Sequence, residues 1–142
     1  MSMDYQIVPD KNDVITRWIC KGLNYDENWI TDHITFGFRL NEELIGGLIF
    51  HDYRPQQEIW WTVYSVDKRW CNRRMLRIMF GMAFEFFGCK RISLLVNKSN
   101  SASLNFVKKL GFQQEGMFRA YRDNGEDCCI FGMLKNECKW IK

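Results

Sequence analysis

The sequence has few prolines and histidines and no long apolar run. Only two prolines and two histidines occur among its 142 residues. No apolar segment approaches the ~20 residues of a membrane-spanning helix, and the start, MSMDYQIVPD, has neither the basic region nor the apolar core of a secretory signal. We therefore expect a cytoplasmic protein that has no membrane partner.

The six cysteines also lack the spacing of a metal site or of a disulfide framework. There is no C-x-x-C pair, and no histidine lies nearby at ligand spacing. The adjacent Cys128 and Cys129 would point to opposite faces of a strand. Reduced, partly buried thiols are the expected state, and no metal is expected.

The composition is that of one soluble globular domain, which we place at 1–142. Hydrophobic residues make up 46% of the chain and charged residues 26%, as in ordinary folded domains. The chain is long enough to bury a sizeable core. Its net charge of +3 is too small to argue for a nucleic-acid partner.

Positive charge is instead concentrated in one segment that includes RWCNRRML. Five cations fall within ten residues, at Lys68, Arg69, Arg73, Arg74 and Arg77. The segment precedes an expected helix, where a cation opposes the helix dipole at a cost of roughly 0.3–1 kcal/mol. Three explanations for this arrangement of cations are possible: a bound anion, a nucleic-acid surface or a solvated basic face. The absence of a base-stacking platform or zinc module beside the cluster argues against nucleic acid as a partner.

The first third of the chain predicts a strand, a helix and a hairpin. An apolar stretch at 5–8 predicts a short strand, and Asp10 is placed to cap a helix over 11–21. A brief helical turn is expected around 26–32. The segments ITFGFRL at 34–40 and ELIGGLIF at 43–50 flank Asn41-Glu42, which predicts a hairpin.

A central strand and a second helix follow. A polar loop at 51–57 precedes residues 58–66, EIWWTVYSV, which are rich in β-branched and aromatic residues and predict a central strand. Apolar residues then recur at helical spacing through 75–86, and Gly88 is placed to end that helix.

The last third predicts a buried strand, a capped helix and a hairpin. RISLLV at 91–96 is expected as the strand. Asn100 or Ser101 is placed to cap a helix that runs to about Leu110, with Gly111 just past it. The remaining segments surround Asp123-Asn124-Gly125, which indicates a hairpin turn. The element order predicts a mixed sheet with helices packed on it.

Within this region, NKSNSASLNFVKKLGFQQEGMFR carries the strongest local pattern. The residues concerned are Asn100, Ser103, KKLGF at 108–112, EG at 115–116 and Arg119. In this order and spacing they resemble the second half of the GNAT superfamily of N-acetyltransferases. The pattern is similar to the subgroup typified by ribosomal-protein N-terminal acetyltransferases and to compact members that phages encode.

The resemblance implies a fold for residues 4 to 140. It is an α/β (α+β) architecture whose mixed, mostly antiparallel twisted sheet has about seven strands and carries helices on both faces. The strands at 58–66 and 91–96 would splay apart at their C-terminal ends.

The same resemblance implies acetyl-CoA as cosubstrate, without a metal. The pantetheine arm would lie in the gap between the splayed strands and pair with backbone near Ser65 and Val66. Asn100 and Ser103 would contact it from the next helix. The pyrophosphate would bind the start of the helix that follows the first splayed strand, at Asn72, Arg73, Arg74, Met75 and Leu76.

This chain departs from the family at the phosphate loop. The family has glycines there, which let backbone approach the pyrophosphate closely, and neither plausible alignment preserves one in this sequence. Helix N-terminal amides do not need glycine in order to donate. Arg73, Arg74 and Arg77 offer charge-assisted hydrogen bonds that a glycine loop lacks.

The catalytic candidates are Glu58, Tyr64 and Ser103. Glu58 has the chemistry of a general base, and Tyr64 lies towards the end of the same strand. Many family members protonate the leaving thiolate with a tyrosine, but its position here is Val107, so the role is vacant or passes to Ser103 or water. His51, in the expected loop, is either an acceptor-pocket residue or a surface residue.

Two functions remain open from the sequence. The first is an acetyl-CoA-dependent N-acetyltransferase, in which a primary amine of a small molecule, a side chain or a protein N-terminus attacks the thioester directly in a ternary complex. The second is a catalytically weakened GNAT-fold module that binds CoA or another protein. In either case we expect a monomer or a homodimer.

Overall fold

The computed structural model describes residues 4–142 and contains one seven-stranded sheet. The strands are β1 (Tyr5–Pro9), β2 (His33–Leu40), β3 (Glu43–Arg54), β4 (Glu58–Ser65), β5 (Arg91–Asn97), β6 (Gln113–Phe118) and β7 (Cys128–Leu134). Their order across the sheet is β1-β2-β3-β4-β5-β7-β6, and only β4 and β5 are parallel neighbours. This confirms the predicted mixed, mostly antiparallel sheet.

Three α-helices and several short turns connect the strands. They are α1 (Val14–Leu23), α2 (Arg73–Gly81) and α3 (Ser101–Leu110), with 3₁₀ turns at Glu27–Trp29, Lys68–Trp70 and Lys135–Glu137 and a π-helical turn at Met82–Phe86. No helix within residues 4–142 is long and apolar enough to cross a membrane.

Helix α1 begins three residues later than expected. Asn12 and Asp13 adopt left-handed backbone conformations, with φ of 55° and 57°, which delay the first helical residue. Asp10 still caps the helix, because its carboxylate accepts hydrogen bonds from the backbone N–H groups of Ile15 and Thr16 at 2.8 and 2.9 Å. The predicted capping role is therefore confirmed, while the predicted first residue is wrong.

Strand β3 extends through residues that were expected to form a loop. The sheet continues to Arg54, and only 55–57 connect β3 to β4. His51 remains in the ladder because it has a strand partner on both sides, His33 on β2 and Trp60 on β4. The prediction of a loop at 51–57 is thus wrong for its first four positions, and His51 is a strand residue.

The C-terminal hairpin forms with a longer connection than expected. The turn at Asp123–Gly125 is present, since Gly125 N–H donates to the Arg122 carbonyl at 2.8 Å and Gly125 has a φ of 85°. However, β6 ends at Phe118 and β7 begins at Cys128. The intervening loop leaves the sheet and carries side chains to the far side of the cleft described below.

Helices cover both faces of the sheet, as predicted. Ile15 and Ile19 of α1 pack on one face against Ile49 of β3. Helices α2 and α3 cover the opposite face, where Phe80 and Leu110 join the larger core. Burial of these apolar faces on a common sheet stabilises the fold at roughly 25 cal/mol for each Å² removed from water.

The parallel pairing of β4 with β5 is short. Paired residues run only from Glu58 opposite Arg91 to Trp61 opposite Leu94. Beyond that point β4 continues alongside β3 and β5 continues alongside β7. The two strands therefore diverge at their C-terminal ends, which confirms the predicted splay.

Phe80 is the centre of the aromatic core on the α2 face. Its side chain is fully buried, and its ring centroid lies 4.8 Å from that of Trp61 and 6.0 Å from that of Phe112. Phe86, one and a half turns later, is 78% exposed. The two phenylalanines thus provide a matched pair for testing the packing.

We expect Phe80→Ala to lower the free energy of unfolding by about 3–5 kcal/mol, because it leaves a cavity in the core. Phe86→Ala should change it by no more than about 0.5 kcal/mol. Urea unfolding followed by circular dichroism measures both. Equal stability of the two variants would contradict the described core.

Candidate active site

A cleft of about 1840 Å³ opens where β4 and β5 diverge. Strand β4 and the end of β5 form its walls, and α3 lies along one side. The loop after α1, the end of β3 and the loop between β6 and β7 complete it. Residues from each part include Tyr25, His51, Thr62, Asn97, Ser103 and Arg122.

The cleft exposes a stretch of unpaired β4 backbone. Alternate residues of a strand direct their backbone groups to opposite sides, and Val66 N–H donates towards β3, to the Ile45 carbonyl at 2.9 Å. Val63 and Ser65 therefore direct theirs into the gap that β5 has left. Of the two predicted backbone contacts, Ser65 faces the gap, whereas the amide of Val66 is already used within the sheet.

Helix α3 contributes the predicted pair Asn100 and Ser103. Asn100 is the N-cap residue, and its side-chain oxygen accepts a hydrogen bond from the Ser103 N–H at 3.2 Å. Both side chains line the cleft. Val107, two turns after Asn100 on the same helix, is buried and also lines the cleft, so this wall carries an apolar group.

The predicted phosphate-binding segment, 72–76, does not line the cleft, although Lys68 and Trp70 just before it do. Asn72 caps α2, and its side-chain oxygen accepts a hydrogen bond from the Met75 N–H at 2.9 Å. The side chains of Met75 and Leu76 are buried in the core. The segment can therefore present only backbone groups and the side chains of its arginines.

The arginines of this segment differ in their partners. Arg69 is held by Asp67, with Nη2 2.6 Å from Oδ2 and Nε 3.1 Å from both carboxylate oxygens. Hydrogen bonds from Arg69 lower the pKa of Asp67 to about 2. Arg73 and Arg74 are exposed, and within residues 4–142 neither has an ion-pair partner. Their backbone N–H groups occupy the first helical turn, which has no intrahelical acceptor.

Glu58 lies at the paired end of β4. Its carboxylate accepts a hydrogen bond from the Trp60 indole at 2.6 Å and lies 3.4 Å from Arg91 and from Arg54. The strands separate only after Trp61, which is about 10 Å further along β4. Glu58 lines the cleft but lies away from the point of divergence.

Tyr64 lies at the open end of β4 and is fixed by α1. Its ring packs directly on Gly22 and makes an edge contact with Trp18, at 5.1 Å between centroids. It lines the cleft on the α1 face of the sheet. The structure thus brings Tyr64 and Ser103 to the same cleft from opposite walls.

His51 forms part of a hydrogen-bonded chain that sequence reasoning missed. Its side chain is only 6% exposed. Nδ1 lies 2.6 Å from the Asp52 carboxylate and Nε2 lies 2.8 Å from the Thr62 hydroxyl. Burial lowers the pKa of His51. The adjacent His51-Asp52 pair was visible in the sequence, but its relation to Thr62 required the pairing of β3 with β4.

A second unforeseen cluster joins residues that are far apart in the sequence. Arg122 donates from Nε to Asn97 at 2.8 Å and from Nη2 to the Tyr25 hydroxyl at 2.5 Å. Its guanidinium also lies 3.9 Å from the centre of the Tyr25 ring. No sequence signal could have indicated a contact between residues 97 positions apart.

The described residues contain no group of three or more potential metal ligands. All six cysteines are free thiols, five of them buried. Burial raises the pKa of Cys71 to about 11. The cleft therefore offers hydroxyl, carboxylate, imidazole and guanidinium groups, which are suited to proton transfer and to binding polar ligands.

The contact of Tyr64 with Gly22 is testable by substitution. A Cβ at Gly22 would lie 2.2–2.6 Å from three ring atoms of Tyr64, whereas a Cβ at the control residue Gly81 would make an ordinary 3.5 Å contact. We expect Gly22→Ala to lower the free energy of unfolding by about 1–3 kcal/mol and Gly81→Ala to raise it by up to ~1 kcal/mol. Urea titration measures both, and stabilisation by both variants would contradict the contact.

Comparison with known proteins identifies a family for this sequence. Residues 2–113 match the sequence model of the acetyltransferase (GNAT) domain. A search of curated protein sequences found no significant match.

Several solved structures share the fold at low sequence identity. An IAA acetyltransferase from Bacillus cereus has a TM-score of 0.75 at 14% identity and covers 94% of this chain and 99% of its own. A spermidine N-acetyltransferase from Vibrio cholerae has a TM-score of 0.72 at 13% identity, covering 97% and 96%. A GNAT family acetyltransferase from Elizabethkingia anophelis, with acetyl-CoA bound, has a TM-score of 0.72 at 12% identity, covering 92% and 97%.

At such identities the structural similarity establishes the fold alone, and the family model supplies the assignment. That model covers most of the chain, including the two strands that diverge. The chain therefore belongs to the GNAT acetyltransferase family and is an acyltransferase.

Proposed function

We propose that this protein transfers the acetyl group of acetyl-CoA to a primary amine, which attacks the thioester directly in a ternary complex. The observation that carries the proposal is the unpaired β4 backbone at Val63 and Ser65, which lies at the base of an open cleft. Unpaired backbone on a strand edge readily pairs with an extended ligand. The amide-bearing pantetheine arm is such a ligand.

The residues present fit acetyl-CoA, which supplies an activated acyl thioester when bound. Ser65 would hold the pantetheine arm through its backbone, and Asn100 would approach it from α3. Arg73 and Arg74 would hold the pyrophosphate with their backbone N–H groups and their guanidinium groups. An anion there would also offset the unfavourable position of both cations at a helix N-terminus.

Three side chains are proposed to serve the reaction. Glu58 is a candidate proton acceptor. Since it lies away from the point where the strands diverge, it would reach the amine through a water molecule. Tyr64 would orient the acceptor at the open end of β4. Ser103 would donate a proton to the leaving thiolate, a role that Val107 cannot fill.

The acceptor is proposed to bind as a cation on the α1 side of the cleft. The aromatic ring of Trp29 and the carboxylates of Asp26 and Asp52 line that side, and both kinds of group attract ammonium. The similarity to ribosomal-protein N-terminal acetyltransferases supports a protein N-terminus as acceptor. The structural similarity to a spermidine N-acetyltransferase supports a small polyamine.

The alternative is a GNAT-fold module that binds CoA without efficient transfer. The buried Val107 favours it, since this wall lacks the phenol that protonates thiolate in many family members. The two functions differ in one observable: both require CoA binding, but only the enzyme releases free CoA thiol in the presence of an amine.

Binding is tested first by thermal unfolding with acetyl-CoA. Ligand at about 100 times its Kd should stabilise the wild type by about 2.7 kcal/mol. The double variant Arg73→Glu, Arg74→Glu should lose this shift, although acidic residues at a helix N-terminus should not destabilise the unliganded protein. The matched control is Lys11→Glu, Arg39→Glu, which changes the net charge equally in exposed positions near the opposite sheet edge.

A normal shift in the Arg73, Arg74 variant would show that these arginines face only solvent. No shift for the wild type at low salt and millimolar ligand would overturn both the enzyme and the module.

Transfer is tested by thiol release from acetyl-CoA with a panel of amines. The panel contains spermidine, tryptamine, a peptide with a free N-terminus and an N-blocked peptide with one lysine. We expect at least one amine to raise thiol release well above hydrolysis, with the acetylated amine confirmed by mass spectrometry. CoA binding without amine-dependent release across the panel would favour the module.

A further inference from the structure

Three hydrogen-bonded side chains, Thr62, His51 and Asp52, line the cleft, the first two buried and the third exposed to solvent. Thr62 and His51 both line the cleft and are 9% and 6% exposed. The side chain of Asp52 is 65% exposed. The distances are 2.8 Å from Thr62 Oγ1 to His51 Nε2 and 2.6 Å from His51 Nδ1 to Asp52 Oδ2.

From this geometry we infer that the Thr62 hydroxyl and the His51 imidazole form the relay that takes the proton from the acceptor amine. The inference rests on the proposed function and assigns the proton of that reaction to His51 instead of Glu58. Neither residue was among the catalytic candidates of the sequence.

The location of the chain supports this role. Thr62 is the first β4 residue after Trp61, where pairing with β5 ends. Its hydroxyl is therefore at the level where the strands diverge and where a thioester lying in the gap would meet the acceptor. Glu58 lies on the same face of β4 but about 13 Å before Thr62, and its carboxylate is already bonded to Trp60 and close to Arg91.

The hydrogen-bond partners determine the direction of proton transfer. A carboxylate only accepts hydrogen bonds, so a neutral His51 donates its Nδ1 proton to Asp52. Its Nε2 then carries the lone pair and accepts the Thr62 hydroxyl proton. The remaining lone pairs on Thr62 Oγ1 are available to an N–H group in the cleft.

An ammonium acceptor must lose two protons from nitrogen to become an amide. One N–H bond of the ammonium breaks and its proton moves to Thr62 Oγ1, while the Thr62 hydroxyl proton moves to His51 Nε2. The freed amine lone pair forms the C–N bond as the C–S bond breaks. The departing thiolate takes the Ser103 hydroxyl proton, and Ser103 Oγ takes the second nitrogen proton in its place. His51 later loses its extra proton to solvent beside Asp52.

The surroundings of His51 favour a neutral imidazole that can accept a proton. Burial lowers its pKa, Asp52 opposes that effect, and His33 opposite it on β2 acts in the lowering direction. Other charged groups on this side include Asp13, bonded to His33 at 2.8 Å. At the cleft they include the anions Glu58 and Asp26 and the cations Arg54 and Arg122. Trp29 covers the ring at 5.2 Å between centroids.

The protonation state is tested first without any substrate, by NMR titration of the two histidines. The variant His33→Gln assigns the signals. We expect His51 to titrate below pH 6.5 and to carry its neutral-state proton on Nδ1. Burial opposes the charged form of His33, but bonds to Thr31 and Asp13 raise its pKa, so His33 should titrate above pH 6.5. A neutral His51 protonated on Nε2 would overturn the relay.

Kinetics with the most active amine of the panel test the role in transfer. A base must be unprotonated, so wild-type kcat should fall as the pH drops through the His51 pKa. His51→Gln should lower kcat about 100-fold or more, within the usual 10²–10⁴-fold range for general bases, and should lack this acidic limb. Its Kd for acetyl-CoA should stay unchanged.

Thr62 variants and two controls separate catalysis from structure. Thr62→Val should resemble His51→Gln, and Thr62→Ser should restore most of the activity because it restores the hydroxyl. His33→Gln should keep the wild-type rate within about twofold. Glu58→Gln should retain the acidic limb if His51 is its origin. If His51→Gln does not fold, the difference in kcat between Thr62→Val and Thr62→Ser tests the relay, and equal kcat values for the two would overturn it.

The outcomes distinguish this inference from the proposed function. A His51→Gln enzyme that keeps the acidic limb, or loses less than tenfold in kcat, overturns the relay and leaves acetyl transfer standing. Loss of acetyl-CoA binding in His51→Gln would assign it a structural role and also overturn the relay. A wild type that binds acetyl-CoA but acetylates no amine overturns the proposed function and the relay together.

Discussion

The short parallel pairing between β4 and β5 is the constraint on which the rest of the structure depends. It joins two antiparallel blocks, β1 to β4 and β5 to β7, through the residues from Glu58 to Trp61. Past Trp61 each strand keeps its antiparallel partner and presents bare backbone to the other. Unpaired strand edges attract additional strands, and here the bare edges face each other across a cleft instead of facing other molecules.

The sheet also separates two kinds of chemistry. The face covered by α1 holds Thr62, His51 and Tyr64, which are suited to handling protons and an amine. The opposite face carries α2, whose N-terminus is suited to phosphate. The gap between the diverging strands opens to both faces of the sheet. A thioester bound in the gap would therefore be accessible to an amine from the α1 side.

The sequence predicted the elements better than it predicted the contacts between them. Hydrophobic periodicity and capping residues such as Asn100 act within a few positions, and they located nearly every helix and strand. The β3 extension was missed because the polar residues at 51–54 look like a loop until both neighbouring strands are present. The relay from Asp52 to Thr62 was missed for the same reason, since strand register determines which side chains meet.

The candidate residues of the site divide in a similar way. Ser65, Asn100 and Ser103 line the cleft, and the family resemblance made them predictable from the sequence. Arg122 and Tyr25 meet across 97 positions, and only the tertiary fold brings such residues together. Glu58 has the right chemistry for a base, but three residues along a strand separate it from the place where that chemistry is needed.

The arginines at the start of α2 have a consequence for the conditions under which the protein acts. A glycine loop binds phosphate mainly through backbone dipoles at contact distance. Arg73 and Arg74 add full charges that are exposed to solvent, and mobile ions screen such charges over about 10 Å at 0.1 M ionic strength. A protein that holds its cosubstrate in this way would release it more readily as salt rises, so its occupancy would follow the ionic composition of its surroundings.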